Sequence, residues 1–105
     1  MHRTMVRYDV RPDQVAQNEA LVRAVYDELR RTRPAGLEYA AYRLGDSGSF
    51  VHLVRHETPA ARSALVELPS FRTFQDGHAA RCLTAPVVTE LHEVGSFSSM
   101  ARDAD

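Results

Sequence analysis

The sequence predicts an α+β fold, the ferredoxin-like order β-α-β-β-α-β with a four-stranded antiparallel sheet. Three kinds of pattern predict it: three stretches alternate apolar and polar residues, a fourth is rich in valine, and two carry apolar residues at helical spacing. Right-handed crossovers place both helices on one face of such a sheet. Because the strands carry apolar residues on both faces, we expect a second copy of the chain to cover the other face, forming a homodimer.

The first strand and the first helix follow from a change of period. "TMVRYDV", residues 4–10, alternates between an apolar and a polar side, which is typical of a half-buried strand. Residues 11–34 then show helical spacing, with Pro12 suited to the first turn. The apolar stripe of this helix comprises Val15, Leu21, Val22, Val25, Tyr26 and Leu29. Pro34 and Gly36 end the helix.

A hairpin and a second helical region come next. "LEYAAYRL", residues 37–44, and "SFVHLVRHE", residues 49–57, are strands joined by the tight turn "GDSG". Thr58 is the expected N-cap of the second helix and Pro59 its first residue. Pro69 interrupts this helix, and "SFRTFQDGHAARC" is expected to form its second piece.

The last strand completes one domain. "PVVTELHEVGSF", residues 86–97, is rich in valine and predicts the fourth strand. The sequence contains no repeat, low-complexity segment or linker, so we predict one domain over residues 1–97 and a polar tail over residues 98–105.

Composition excludes several classes of function. With 13 basic and 14 acidic residues, the net charge of −1 does not favour nucleic acid or an anionic membrane as partner. No stretch approaches the roughly 18 apolar residues of a membrane span. The single cysteine, Cys82, excludes an internal disulfide framework, and the first residues lack the apolar run of a signal peptide. We therefore expect a cytoplasmic location.

In this order of elements, four stretches resemble the antibiotic biosynthesis monooxygenase family over roughly residues 4–97: "RPDQVAQNEALVRAV", "GLEYAAYRL", "FVHLVRHE" and "ELPSFRTFQDGHAARC". The resemblance implies a dimeric α+β barrel in which two sheets pack face to face, with a pocket between the helices and sheet of each subunit. Some relatives oxidise aromatic, polyketide-like substrates without metal or flavin, and others degrade haem.

The haem-degrading branch offers a comparison by residue. That branch has an iron-binding histidine in a stretch similar to "FQDGH", which places His78 at the matching position. It also has a tryptophan ten residues earlier, where this chain has Leu68, and an asparagine on the first strand, where it has Val6 or Tyr8. These two departures argue against haem degradation.

"FQDGHAARC" contains a histidine and a cysteine four residues apart, the spacing of one helical face. Phe71, Phe74, His78 and Cys82 are expected to form the core-facing stripe of one helix. His78 is then either a core histidine with a hydrogen-bond partner or a pocket base, for which an ordinary pKa near 6.5 is suited. We expect no metal site and interpret Cys82 as a packing residue, because further ligands or a base and oxyanion hole are not apparent.

The position of His52 depends on which face of the third strand meets the helices. His52 shares a face with Phe50 and Val54, whereas Val51 and Leu53 share the other face. If the histidine face meets the helices, His52 lines the pocket with His78; otherwise it lies at the subunit interface.

Two functions are therefore considered. The first is a cofactor-independent monooxygenase in which His78, helped by His52, removes a proton from a phenol. Tyr8 and Tyr42 would hold polar groups of the substrate, and Phe71 and Phe74 would line the pocket. The second is a non-catalytic dimeric domain that binds a small apolar molecule or assembles. An open cavity with His78 in its wall favours the enzyme, and a space closed by Phe71, Phe74 and Leu53 favours the second function.

Overall fold

The computed structural model describes residues 2–100 and has the predicted α+β fold. One antiparallel sheet has the strand order β2-β3-β1-β4. Its strands are β1 (His2–Asp9), β2 (Leu37–Arg43), β3 (Ser49–His56) and β4 (Val87–Glu90). This order, with the central strands β1 and β3 joined through α1 and the hairpin, is that of a ferredoxin-like sheet.

The helices begin where the sequence provides a start signal. A single 3-10 turn, Pro12–Gln14, leads into α1 (Val15–Thr32). The second helical region forms three helices, α2 (Pro59–Val66), α3 (Pro69–Gln75) and α4 (His78–Arg81). The Thr58 side chain accepts a hydrogen bond from the amide of Ala61, which confirms Thr58 as the N-cap of α2.

The prediction of one continuous helical piece through "SFRTFQDGHAARC" is wrong. Gly77 has φ +75° and separates α3 from α4, so it does not lie in the middle of a helix. An α-helix cannot continue through this left-handed conformation, which glycine adopts without a steric penalty. His78 is therefore the first residue of a new helix, and its burial beside Phe74 results from the turn, not from a stripe on one helix.

The fourth strand is shorter than the predicted 86–97. β4 ends at Glu90, opposite Thr4, and the amide of Leu91 makes one further bond to the carbonyl of Arg3. Within the described residues, antiparallel pairing leaves only Arg3 and His2 of β1 beyond Thr4, so the pairing cannot extend to residue 97. Residues 92–100 form no regular element, and the remainder of the predicted tail, residues 101–105, lies outside the described residues.

The core lies between the helices and one face of the sheet, and α1 packs against α3 above it. Its buried apolar residues are Tyr8, Val10, Val25, Phe50, Leu65, Leu68, Phe71, Phe74 and Cys82. Glu28 of α1 accepts hydrogen bonds from both the amide and the hydroxyl of Ser70, which fixes the start of α3. Within residues 2–100, no helix is long and apolar enough to cross a membrane.

Candidate functional site

The strand register settles which face His52 occupies. His52 pairs with Val6 on β1 and with Ala41 on β2, and Tyr8 pairs with Phe50. Directly paired residues of antiparallel strands point to the same side, so these side chains all face the helices. His52 is 3% exposed and Tyr8 2% exposed. Of the two positions that the sequence left open for His52, the structure has the one beneath the helices.

Two tyrosines hold His52 from opposite sides. The hydroxyl of Tyr8 lies 2.7 Å from Nε2 of His52, and the hydroxyl of Tyr39 lies 2.7 Å from Nδ1. The ring of Phe74 stacks on His52 at a centroid distance of 5.6 Å. Both ring nitrogens are therefore already engaged, and no lone pair or N–H of His52 is left for a ligand.

The hydrogen-bonded chain continues from Tyr8 into α1 and α4. Nδ2 of Asn18 donates to the hydroxyl of Tyr8 at 3.0 Å, and Nε of Arg81 donates to Oδ1 of Asn18 at 3.3 Å. Arg81 also donates to the carbonyls of Phe74 and Asp76 at 2.7 and 3.2 Å. These carbonyls end α3, where a helix favours positive charge. A guanidinium that is only 6% exposed is thereby held behind Tyr8 and Asn18.

His78 and Cys82 contact each other but do not form a reactive pair. Nε2 of His78 lies 3.6 Å from Sγ of Cys82, and the His78 ring meets Tyr8 edge-on with centroids 4.5 Å apart. Burial raises the pKa of the Cys82 thiol, which keeps it protonated at neutral pH. The pair therefore consists of two neutral groups packed in the core, in agreement with the packing interpretation of Cys82.

Burial also sets the protonation of the cluster formed by Tyr8, Tyr39, His52, Phe74 and His78, hereafter the buried cluster. Desolvation, with a smaller effect of His78, lowers the pKa of His52 to about 4. Desolvation and then the charge of Arg81 lower the pKa of His78 to about 4. Desolvation raises the pKa of Tyr8 to about 12 and raises that of Tyr39 as well. All four groups are uncharged at neutral pH, and the two imidazoles are weak bases.

The space around His78 is closed. Phe71 and Phe74 are 9% and 4% exposed, and the Phe74 ring lies 4.9 Å from that of His78. Leu53, the third residue considered for closing this space, faces the other side of the sheet and is 37% exposed. His78 is therefore a core residue, and a ligand would need a different opening to reach the cluster.

An open cleft of about 920 Å³ lies beside the C-terminal half of α1 and one end of the sheet. Its wall includes the aromatic residues Tyr26 and Tyr39, whose ring centroids are 5.2 Å apart. The other residues of the lining are Arg3, Thr4, Leu29, Arg30, Arg33, Pro34, Leu37, Glu38, Ala40, Leu53, Val54, Arg55, Leu91 and Glu93. Tyr39 belongs to both the cleft wall and the buried cluster, so it connects the two.

The charges around the cleft favour an anion. Four arginines and two glutamates line it, which leaves a balance of two positive charges. Arg3 pairs with Glu93, and Arg55 pairs with Glu38 at 3.0 Å. Of the other two arginines, Arg30 pairs with Asp27, which is not part of the lining, at 3.7 Å, so the net excess is the charge of Arg33. A net positive charge at the cleft favours ligands of the opposite sign.

Tyr42 does not lie with the other predicted site residues. It pairs with Val51, on the opposite face of the sheet from His52, and is 55% exposed. Tyr39 and Tyr42 are three residues apart on one strand, and side chains alternate along a strand, so the two cannot share a face. Tyr42 therefore does not lie with Tyr8 as expected, and the tyrosine of β2 on the face of Tyr8 is Tyr39.

Sequence reasoning missed Asn18 and Arg81. Asn18 is fully buried at an inward position of α1, between the stripe residues Val15 and Val22. A polar residue in an apolar stripe was the available signal. Arg81 gave no such signal, because its burial depends on the turn at Gly77, which brings it back over α3.

Comparison with known proteins identifies relatives. The model of the family described as antibiotic biosynthesis monooxygenase matches residues 1–77, more than half of the chain. Among curated proteins, none is significantly similar in sequence.

Several solved structures share the fold. A crystal structure of an antibiotic biosynthesis monooxygenase is 18% identical, with a TM-score of 0.74, and the match covers 90% of this chain and 100% of the other. Rv0793 from Mycobacterium tuberculosis is 21% identical, with a TM-score of 0.74 and coverage of 92% and 98%. PA3566 from Pseudomonas aeruginosa is 19% identical, with a TM-score of 0.71 and coverage of 90% and 94%. At these identities the similarity concerns the fold.

Proposed function

Because the chain belongs to the antibiotic biosynthesis monooxygenase family, we propose that it is a monooxygenase for an aromatic, polyketide-like phenol bound in the cleft beside Tyr26 and Tyr39. The observation that carries the proposal is an open cleft of about 920 Å³ that combines an aromatic wall with an excess of positive charge. Aromatic walls bind flat rings, and positive charge favours the ionised form of a phenol. In this proposal residues 1–97 act as one cytoplasmic domain.

The proposed reaction needs no external reductant and no metal or flavin. A methylene carbon conjugated with the phenol loses a proton, and the resulting anion transfers an electron to dioxygen. The two radicals combine to form a C–O bond, which gives a hydroperoxide after protonation. Loss of the second hydrogen as a proton and cleavage of the O–O bond release water and leave a carbonyl. One oxygen atom stays in the product, and the substrate supplies all four electrons.

The roles of the predicted site residues differ in this proposal. Tyr39 contacts the ligand directly, whereas His52 and Tyr8 support Tyr39 from behind. His78 and Phe74 fill the core that holds the three in place. The net positive charge of the cleft lowers the pKa of the bound substrate. The substrate can therefore release its proton directly to solvent through the open cleft.

Oxygen uptake tests the proposal. A panel of polycyclic phenols with an activated methylene carbon is offered to the protein, and we expect uptake of one dioxygen per substrate. With isotopically labelled dioxygen, the product should carry a single labelled oxygen atom. Tyr39→Phe should slow the reaction by about 10- to 100-fold, the effect of losing a hydrogen bond to a charged group. Tyr42→Phe makes the same chemical change on the opposite face and should leave the rate unchanged.

The second candidate function is non-catalytic binding of a small aromatic molecule. The observation that favours it is that the predicted bases, His52 and His78, are buried and weakly basic. In this case phenols bind in the cleft but consume no oxygen. Binding measured by fluorescence quenching, together with oxygen uptake, separates the two functions.

We also propose that the chain is a homodimer formed through the outer face of the sheet. This face carries Tyr42 and Val87, which are 55% and 61% exposed. Val51 and Met5 lie between them on the central strands. Large exposed apolar surfaces are rare on monomeric proteins, and a second copy would remove this one from water.

A further inference from the structure

The hydrogen-bonded chain from Arg81 to Tyr39 has a fixed direction. Arg81 can only donate, because a guanidinium has no acceptor. The atom of Asn18 that faces it at 3.3 Å must therefore be the carbonyl oxygen. The amide nitrogen of Asn18 is then turned toward Tyr8, where it donates to the hydroxyl oxygen at 3.0 Å.

The hydrogen-bonded chain keeps the same donor-to-acceptor direction through His52. Since the hydroxyl oxygen of Tyr8 accepts from Asn18, its own hydrogen is satisfied by donation to Nε2 of His52 at 2.7 Å. A neutral imidazole carries one hydrogen, so an accepting Nε2 requires the hydrogen on Nδ1. Nδ1 then donates to the hydroxyl oxygen of Tyr39 at 2.7 Å. The opposite arrangement would leave the buried hydroxyl hydrogen of Tyr8 without an acceptor, which is costly.

We propose that Arg81, through Asn18, Tyr8 and His52, holds Tyr39 as a hydrogen-bond donor toward the cleft, so that the cleft selects ligands with an acceptor oxygen, a carbonyl or a phenolate. Tyr39 receives a hydrogen bond from His52 and keeps its own hydroxyl hydrogen for the ligand. Arg81, Asn18, Tyr8 and His52 are positioning residues. The selection of ligands rests on the proposed function, whereas the direction of the chain does not.

Two further observations support the donor role of the cleft wall. Among the buried side-chain polar atoms of residues 2–100, the hydroxyl of Tyr26 has no hydrogen-bond partner. Tyr26 lies next to Tyr39 in the wall, and burial raises the pKa of both phenols, which keeps them protonated. Both hydroxyls of this wall therefore keep a hydrogen that they can donate.

The tautomer of His52 tests the direction without any ligand. In two-dimensional nitrogen–proton NMR spectra of the ring, we expect the wild-type protein to show the hydrogen on Nδ1. A hydrogen on Nε2 in the wild-type protein would overturn the proposal, and this measurement does not depend on the folding of a variant.

Asn18→Asp should reverse the direction of the hydrogen bonds between Tyr8 and Tyr39. An aspartate at this position still accepts from Arg81, but it now accepts from the hydroxyl of Tyr8 instead of donating to it. Tyr8 must then accept from Nε2 of His52, the hydrogen moves from Nδ1 to Nε2, and Tyr39 donates to Nδ1. Gln17→Glu makes the same change one residue earlier, at an exposed position of α1, and should leave the tautomer unchanged. An unchanged tautomer in a folded Asn18→Asp variant would contradict the proposal.

Two matched probes test the selection of ligands. Anthraquinone-2-sulfonate and anthracene-2-sulfonate have the same charge and nearly the same shape, but only the first has carbonyl oxygens on the central ring. We expect Asn18→Asp to weaken binding of the quinone by about fivefold, the effect of one neutral hydrogen bond, and to change binding of the anthracene by less than twofold. Equal weakening of both probes would overturn the selection of acceptor oxygens. If neither probe binds the wild-type protein, the proposed use of the cleft is wrong, while the tautomer still decides the direction of the chain.

Discussion

His52 is a histidine whose chemistry is limited by its neighbours. Hydrogen bonds to Tyr8 and Tyr39 use both ring nitrogens, and burial lowers the pKa of His52 to about 4. A group in this position is a poor base for a bound phenol. It is well suited to transmit orientation, because leaving any of these buried polar groups unpaired would cost free energy.

The two buried histidines should make the protein less stable as the pH falls into the acid range. In the folded protein His52 and His78 stay neutral down to about pH 4, whereas in the unfolded chain they take up protons below about pH 6.5. Their contribution is complete above pH 6.5 and is lost as the pH falls toward 4. Each histidine should lower the free energy of unfolding by about 1.4 kcal/mol per pH unit at most in this window. Denaturation by urea between pH 7 and 4 measures it.

His78→Phe separates this effect from general acid sensitivity. Phenylalanine keeps the ring contacts with Tyr8 and Phe74 but does not titrate, so the pH dependence should fall by about half. The groups that face the two histidines, Tyr8, Tyr39, Arg81 and Cys82, are unchanged. His92→Gln, at an exposed position, should retain the wild-type dependence. The same slope in His78→Phe as in the wild-type protein would show that the loss arises elsewhere.

At single positions the sequence predicted which residues are buried better than it predicted their hydrogen-bond partners. It indicated that His78, Phe71 and Phe74 are buried, because large apolar neighbours accompany the histidine. It left the face of His52 open, because β3 has apolar residues on both sides and only the register with β1 decides. Asn18 stands out as a polar residue in an apolar stripe, but its partner Tyr8 lies on another element, and the local pattern does not show which residue it bonds.

Among the elements, the turn between α3 and α4 determines where Arg81 and His78 lie. Gly77 has φ +75°, and a Cβ added there would meet only Nη1 of Arg81, at 3.7 Å. Space is therefore available, and the cost of Gly77→Ala comes from the left-handed backbone alone. We expect Gly77→Ala to lower the free energy of unfolding by about 1–2 kcal/mol.

Gly77→Asn provides the control for this explanation. Asparagine tolerates the left-handed conformation better than alanine, so its cost should be smaller. Thermal or urea denaturation of both variants measures the difference. If asparagine were as destabilising as alanine, a steric clash and not the backbone conformation would be responsible.

The start of β3 depends on a close backbone approach. A Cβ on Gly48 would lie 2.7 Å from the carbonyl oxygen of Val10, whose amide in turn donates to the carbonyl of Gly48 at 2.8 Å. Neither backbone can move without losing this bond, so Gly48→Ala should cost about 1–3 kcal/mol of stability. Gly95→Ala places its Cβ in open space and should change stability by less than about 0.5 kcal/mol. Equal effects in the two variants would contradict the close approach as the cause.

Elements were predictable where the signal lies within their own residues, and unpredictable where it depends on a neighbouring element. Alternation gave β1, β2 and β3 to within two residues at each end, and capping gave the start of α2. The predicted length of β4 was wrong because pairing with β1 limits this strand. No pattern within residues 86–97 shows how far β1 extends. The sequence shows a glycine at position 77, but it does not show that this glycine ends α3. The position of Arg81, which bonds to the carbonyl of Asp76 after this turn, depends on contacts between elements.

For the whole molecule, the order of elements was sufficient to predict the sheet topology. The β-α-β-β-α-β order and right-handed crossovers leave few ways to arrange four strands, and the observed order β2-β3-β1-β4 is the expected one. The position of the cleft was not predictable in this way. It lies at one end of the sheet beside α1, and its lining comes from residues dispersed between Arg3 and Glu93.

The outer face of the sheet gives the last prediction. Val51 lies near the centre of this face, between Tyr42 on β2 and Arg7 on β1, and it is not part of the cleft lining. In a homodimer that buries this face, Val51→Arg would bring an unpaired charge into an apolar interface next to Arg7. We expect light scattering to show a dimer for the wild-type protein and a folded monomer for Val51→Arg. Leu83→Arg adds the same charge at a residue that is 56% exposed and lies outside the four strands, and should remain dimeric. A wild-type monomer, or loss of the dimer in both variants, would rule out this face as the interface.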